Sequence, residues 1–197
     1  MLNVLLAGVG GQGTVLAAKI LAQAAQAKGW QVRTAETIGM AQRGGNVTSH
    51  LRMGNNGEEV YAPLLAQGTA DLIIAFEPAE GARVVPYLKP EGTLVCATTA
   101  IQPVSAALSH TPHRAEDVVA QLATCVPHFI AVDDAVLCAQ VGTRKVLNTV
   151  LLARALAQGT LSISVDDLRR AIPLCVKSRF VEMNLQAIDV ACGDERK

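Results

Sequence analysis

The first run of hydrophobic positions, Val4, Leu5, Leu6 and Ala7, is continuous rather than alternating and leads straight into Gly8, Gly10, Gly11 and Gly13. A short apolar run bounded by glycines predicts a buried strand that ends in a glycine-rich turn and opens a helix. From Thr14 to Lys28 the period changes. Ala and Leu dominate, with Lys19, Gln23 and Gln26 falling on one side, which predicts a helix with a narrow wet stripe and a broad buried face, closed by Gly29. Trp30 to Glu36 alternates and reads as a second strand. Strand, turn, helix and strand make a parallel βαβ unit, which puts the glycine turn at the carboxyl edge of a sheet.

Beyond this unit the pattern departs from an ordinary nucleotide-binding half. Ile38 to Gly45 carries a second glycine pair, Gly44 and Gly45, beside Arg43, and Asn46 to Met53 alternates Val47, Ser49, Leu51 and Met53 against Thr48, His50 and Arg52. The GNNG run at Gly54 to Gly57 is a strong hairpin signal, so Glu58 to Tyr61 is expected to return as the paired strand of an inserted hairpin spanning about 46–61. Parallel winding then resumes with strands at Asp71–Phe76, Gly92–Thr98 and His128–Val132 and helices at Pro78–Leu88 and Arg114–Thr124. Ala135–Val141, Arg144–Ala157, Val165–Ile172 and Lys177–Ala191 follow as helices, broken at Gly142, Gly159 and Pro173, and Gly193–Lys197 reads as a solvated tail. The fold class is therefore α/β. It is Rossmann-like, with a mostly parallel sheet, helices on both faces, the inserted hairpin and a helical C-terminal part, all within one domain over 1–197.

Composition narrows what such a fold can do. Only 3% of residues are aromatic against 50% hydrophobic, so the core is built from close-packed aliphatics and offers few platforms for stacking bases. Lys plus Arg and Asp plus Glu stand at 17 each, so no global field steers the chain to nucleic acid or to an anionic membrane. The 5 cysteines are scattered, with no Cys-x-x-Cys, which fits reduced thiols and excludes an in-chain zinc ribbon or ferredoxin-type cluster. With no apolar run of about eighteen residues and no basic leader, a cytoplasmic protein is expected.

The candidate chemistry sits in two glycine clusters. Gly8, Gly10, Gly11 and Gly13, ahead of a helix N-terminus, can cradle a phosphate on backbone N–H groups or serve only as a tight turn. Glu36, 23 residues past Gly13, stands roughly where a ribose-binding carboxylate is expected for NAD, which keeps a stand-alone NAD(P)-linked oxidoreductase open as one reading. Arg43, on a flexible loop with Gly44 and Gly45, can grip a phosphate or carboxylate bidentately. Glu77, Glu80 and Arg83 open a helix at a strand's carboxyl end and read mainly as cap and i,i+3 pair. His50 and Arg52 read as a polar solvent face. His110, His113 and His128 form no metal or triad pattern, and Asn148 and Asn184 are polar residues on mostly apolar helices, suited to a hydrogen bond in the core or across an interface. No catalytic constellation is visible and no metal site is expected, so the chain reads as part of a catalyst or as a non-catalytic ligand-binding scaffold.

VLLAGVGGQGTVLAAKILAQAA, GMAQRGGNVTSHLR, ADLIIAFEPAEGARVVPYL and KSRFVEMNLQAI together resemble the gamma-type domain of 2-oxoacid:ferredoxin oxidoreductases, with the indolepyruvate branch the nearest match, over Val4 to about Ile188. The resemblance implies an accessory subunit of a thiamine diphosphate-dependent enzyme that oxidatively decarboxylates a 2-oxoacid with coenzyme A, giving acyl-CoA, carbon dioxide and reduced ferredoxin. It implies a large partner subunit that carries thiamine diphosphate and the iron–sulfur clusters, contact with ferredoxin through the complex, and no cofactor held tightly by this chain. The glycine turn and the Gly39–Gly45 loop would face that partner and help hold coenzyme A. Self-association of the isolated chain is left open.

Overall fold

The computed structural model describes residues 1–39, 45–101 and 114–193. Its centre is a six-stranded sheet of β1 (Leu2–Val9), β2 (Gln31–Ile38), β3 (Asn46–Gly54), β4 (Ala70–Ala75), β5 (Leu88–Ala97) and β6 (His128–Val132), in the order β2-β3-β1-β4-β5-β6. β1, β4, β5 and β6 pair in parallel, while β3 runs antiparallel to both β1 and β2. Five strands therefore share one carboxyl edge, and β3 alone runs the other way.

Helices α1 (Thr14–Ala27), α4 (Asp134–Val141), α5 (Leu147–Ala157), α6 (Val165–Cys175) and α7 (Val181–Gly193) cover one face. There Ile20, Leu21, Leu151 and Ile188 meet Val4, Leu6, Leu51 and Ile74 in the larger core. On the opposite face α2 (Pro78–Val84) and α3 (Ala115–Cys125) pack on Leu5, Ile73 and Leu94. β1 is wholly buried from Val4 to Ala7 because its two sides feed two different cores, which is why its sequence is continuous rather than alternating. Among the described residues no helix is long and apolar enough to cross a membrane.

The α/β class and the two-sided helical cover agree with the sequence reading, but the hairpin is placed differently. β3 pairs along its whole length with β2 and with β1, so both of its edges are filled and Glu58–Tyr61 has no strand to join. The hairpin is β2–β3, closed by the loop that begins at Gly39, whose N–H bonds to the Asn46 carbonyl at 2.8 Å. GNNG is a real turn, with Gly57 at φ 80° and Gly54 so crowded that a Cβ would lie 2.0 Å from the Glu58 carbonyl oxygen. It sends the chain across the amino edge instead. Two helix limits also shift. Pro86 lies within a short 3₁₀ turn, Val85–Tyr87, that stops α2 at Val84, and α6 runs two residues past Pro173 to Cys175 before its ladder gives out.

Candidate functional site

β1 delivers the glycine turn to the carboxyl edge, and one side chain fixes its shape. The Gln12 Oε1 accepts the Val9 N–H at 2.6 Å, and its Nε2 donates to the Phe76 carbonyl at 2.9 Å. The turn is thereby pinned to the end of β4, where the Phe76 N–H also donates to the Ala7 carbonyl. Gly8 is required by packing. A Cβ there would meet Gln12 Oε1 at 2.7 Å, Phe76 Cβ at 2.8 Å and Thr14 Oγ1 at 2.9 Å. Gly11 and Gly13 are required by the backbone, at φ 98° and 85°. Gly10 donates its N–H to the Gly45 carbonyl at 2.9 Å, so the two glycine clusters meet. Arg43 and Gly44 lie outside the described residues.

Behind the turn, α1 begins without a side-chain cap and without an acidic residue in its first turn. Its leading N–H groups and the positive end of its dipole face the carboxyl edge, the arrangement that holds an anion. Thr14, the first helical residue, is 3% exposed, and its hydroxyl has no hydrogen-bond partner among the described residues. A cleft of about 420 Å³ opens beside the turn, lined by Gly10 to Gly13 on one side and by Arg144, Lys145 and Asn148 on the other. Arg144 is held there by Asp134. That carboxylate is fully buried, accepts the Thr98 and Thr99 N–H groups at 3.1 and 3.0 Å, and takes the Arg144 guanidinium at 2.7 Å. Asp134 was not singled out by the sequence reading. Its signal is the Asp133–Asp134 doublet that opens a helix straight after a strand.

Glu77 stands at the carboxyl end of β4, 5% exposed, and caps α2 by accepting the Glu80 N–H at 2.9 Å. Burial pushes its carboxyl above the ordinary 4.5, against the opposing pull of the Glu80 and Ala79 N–H groups. An acid whose pKa is higher in the folded chain than in the unfolded one binds its proton more tightly when folded. Stability therefore falls as pH rises through that window. Glu77→Gln keeps an oxygen for the cap and removes the charge. The variant is expected to melt with the wild type near roughly pH 4 and above it at neutral pH, in thermal scans across pH. A difference that does not change with pH would contradict this origin. The Cys96 thiol, pushed up to about 12 by burial and by the nearby Glu77 and Asp134, is a core group and no nucleophile.

Two sequence expectations change here. His50 is buried instead of solvated, because the chain after GNNG folds over β3. The His50 Nδ1 accepts the Leu65 N–H at 3.3 Å, and its ring meets Tyr87 edge-on at 5.9 Å. Glu36, for its part, pairs with Ser49, which pairs with Leu6, so β3 separates it from β1 by two strand spacings, roughly 10 Å. A ribose held at the glycine turn would be out of its reach, and the NAD reading loses its acidic partner.

The model of the family described as pyruvate ferredoxin/flavodoxin oxidoreductase matches residues 3–193. The chain belongs to that family. It is 34% identical, over 95% of its length and 92% of the relative's, to the indolepyruvate oxidoreductase subunit IorB of Archaeoglobus fulgidus. It is 30% identical, over 95% and 93%, to the subunit of the same name in Pyrococcus horikoshii. Among solved structures, the gamma subunit of a keto/oxoacid ferredoxin oxidoreductase from Geobacter sulfurreducens superposes with a TM-score of 0.69 at 22% identity, covering 98% of this chain and 97% of that one, a likeness of fold. For a member of this oxidoreductase family the glycine turn, Gln12 latch and cleft are the features at the sheet edge from which chemistry can be built.

Proposed function

We propose that the protein is the small gamma-type subunit of a thiamine diphosphate-dependent 2-oxoacid:ferredoxin oxidoreductase of the indolepyruvate branch. The complex decarboxylates a 2-oxoacid, passes two electrons to ferredoxin and transfers the acyl group to the thiol of coenzyme A. Thiamine diphosphate and the iron–sulfur clusters belong to the large partner subunit. The observation that carries the reading is the 34% identity to an indolepyruvate oxidoreductase subunit across nearly the whole of both chains.

In this reading the chain forms one wall of a shared site. The uncapped start of α1, the N–H groups of the glycine turn and the Arg144–Lys145 pair are suited to the phosphates of coenzyme A, the substrate whose thiol accepts the acyl group. The Gly45 carbonyl accepts the Gly10 N–H, which brings the end of the second glycine cluster to the same edge. No residue of this chain is assigned a catalytic role.

Purification of the tagged chain from its native host, with cofactor analysis of what accompanies it, tests the assembly. The expected result is a stoichiometric large subunit carrying thiamine diphosphate and iron–sulfur clusters. Recovery of the chain alone or only as a self-associated species would contradict it. Calorimetric titration with NADH in the low micromolar range is expected to give no heat of binding.

A further inference from the structure

The cleft beside the glycine turn does not end at Asn148. A second cavity of about 310 Å³ continues past Leu16, Lys145 and Asn148, which line both, into the corner between α1, α6 and α7. Its floor is apolar, built from Leu16, Val176, Phe180 and Met183, and Lys177 stands at its side. Among the described residues lining the two cavities there is no Asp or Glu, whereas Arg144, Lys145 and Lys177 are present. Neither lysine has a carboxylate partner among the described residues. Arg144 is already paired with Asp134, so the two lysines carry the charge that makes this a local positive trough with an apolar end in a chain of zero formal net charge.

Asn148 sits at the junction of the two cavities. It is 3% exposed, and its side-chain amide, which packs 3.4 Å from the Cβ position of Gly13, has no hydrogen-bond partner among the described residues. Its neighbour one turn of helix and one helix away differs in this respect. Asn184 accepts the Thr149 hydroxyl at 2.5 Å and donates to the Phe180 carbonyl at 2.7 Å, so both its oxygen and its nitrogen are engaged inside the fold. Asn148 lines both cavities, so its amide reaches the water that fills them rather than a partner in the core. The amide opens instead onto the cavities, where a ligand can take both its donor and its acceptor.

We propose that this trough binds an amphiphilic anion: a carboxylate or phosphate head held by Arg144, Lys145 and Asn148 near the start of α1, with an apolar body lying along Phe180 and Met183. The floor is too apolar to recommend a second charge, and the cations at the rim recommend a first. The head-group end is the same Arg144–Lys145 corner assigned above to the phosphates of coenzyme A, so the two ligands would compete there; binding is read on the isolated chain without a partner, so failure of the trough and failure of the assembly are distinguishable.

The test uses the full chain and a fluorescent amphiphilic anion, anilinonaphthalene sulfonate. Saturable binding at one site per chain is expected, with displacement by octanoate or by octyl phosphate, the better competitor identifying the head group. Asn148→Leu is expected to weaken binding about tenfold while the thermal midpoint stays or rises, since the amide holds no partner among the described residues and the substitution removes only its contact with the ligand. Met183→Trp, which fills the apolar end, is expected to weaken it similarly, and Lys145→Gln with Lys177→Gln to remove most of its salt dependence. The proposal is overturned if the wild type does not bind, if Asn148→Leu and Met183→Trp bind like the wild type, or if Asn148→Leu melts lower, which would make the amide structural. Equal displacement by inorganic phosphate or by neutral octanol would also overturn it, because head and body would then not be read together.

Discussion

Alanine in place of Gly8 is expected to lower the stability of the chain by ~3 kcal/mol, the upper range for overpacking a close-packed interior. The methyl group would sit 2.7–2.9 Å from three atoms at once. None of them can retreat cheaply. Gln12 Oε1 is committed to the Val9 N–H, Phe76 Cβ is fixed by the end of β4, and Thr14 Oγ1 is buried in the first turn of α1. For a chain of this size that loss corresponds to a fall of roughly 6–12 °C in the thermal midpoint. Gly11→Ala is the informative companion. Its Cβ would meet nothing within 4 Å, and only the positive φ is paid in strain, so a loss of about 1 kcal/mol is expected. Calorimetric melting of the two variants separates packing from backbone conformation. Equal losses would contradict the assignment of Gly8 to packing.

Gln12→Leu is expected to cost about 2–4 kcal/mol, because a side chain of similar size leaves both the Val9 N–H and the Phe76 carbonyl without a partner in a part-buried setting. Gln12→Glu discriminates the two bonds. Its carboxylate still accepts from Val9 but cannot donate to the Phe76 carbonyl, and it places negative charge against that oxygen. The substituted carboxyl would have a raised pKa in the folded state, so the deficit relative to wild type is expected to grow as pH rises through the carboxyl range and to shrink on acidification, when the protonated acid can donate again. Urea unfolding at several pH values reads this directly. A Gln12→Leu variant as stable as the wild type would mean the latch does not hold the turn. Because the latch joins β1 to β4, loosening it is also expected to impair whatever the turn contacts at the sheet edge.

How much of this was readable beforehand follows from how local each feature is. β1, the turn and α1 were legible because a continuous apolar run, glycines at special backbone positions and a change of period all lie within one stretch of about 25 residues. The partner of β3 was not. Alternation along Val47 to Met53 announces a strand but carries no information on what pairs with it, and GNNG, a genuine turn, suggested the wrong neighbour. Pairing with β1 and β2 depends on the long-range demand of β1 for cover on its β2 side. His50 was misjudged for the same reason, since its burial comes from a loop fifteen residues later. Of the candidate site, Gly8, Gly10, Gly11, Gly13 and Gly45 do converge, through the Gly10–Gly45 bond. Gln12, a polar residue between two glycines with no signal of its own in the pattern, is the residue that shapes the turn. The opposite wall of the cleft, from Asp134, Arg144 and Asn148, was hidden because it is assembled from helices more than 100 residues away in the chain.

Under the proposed function this chain completes an active site whose redox chemistry is carried by a partner. The rate of coenzyme A-dependent ferredoxin reduction by the proposed thiamine-dependent large subunit, supplied with an aryl 2-oxoacid and assayed with and without this chain, measures that directly. The large subunit alone is expected to turn over at a small fraction of the rate of the pair, with activity restored saturably at one equivalent of the purified chain. Full activity without it, or no association between the two, would overturn the proposed function.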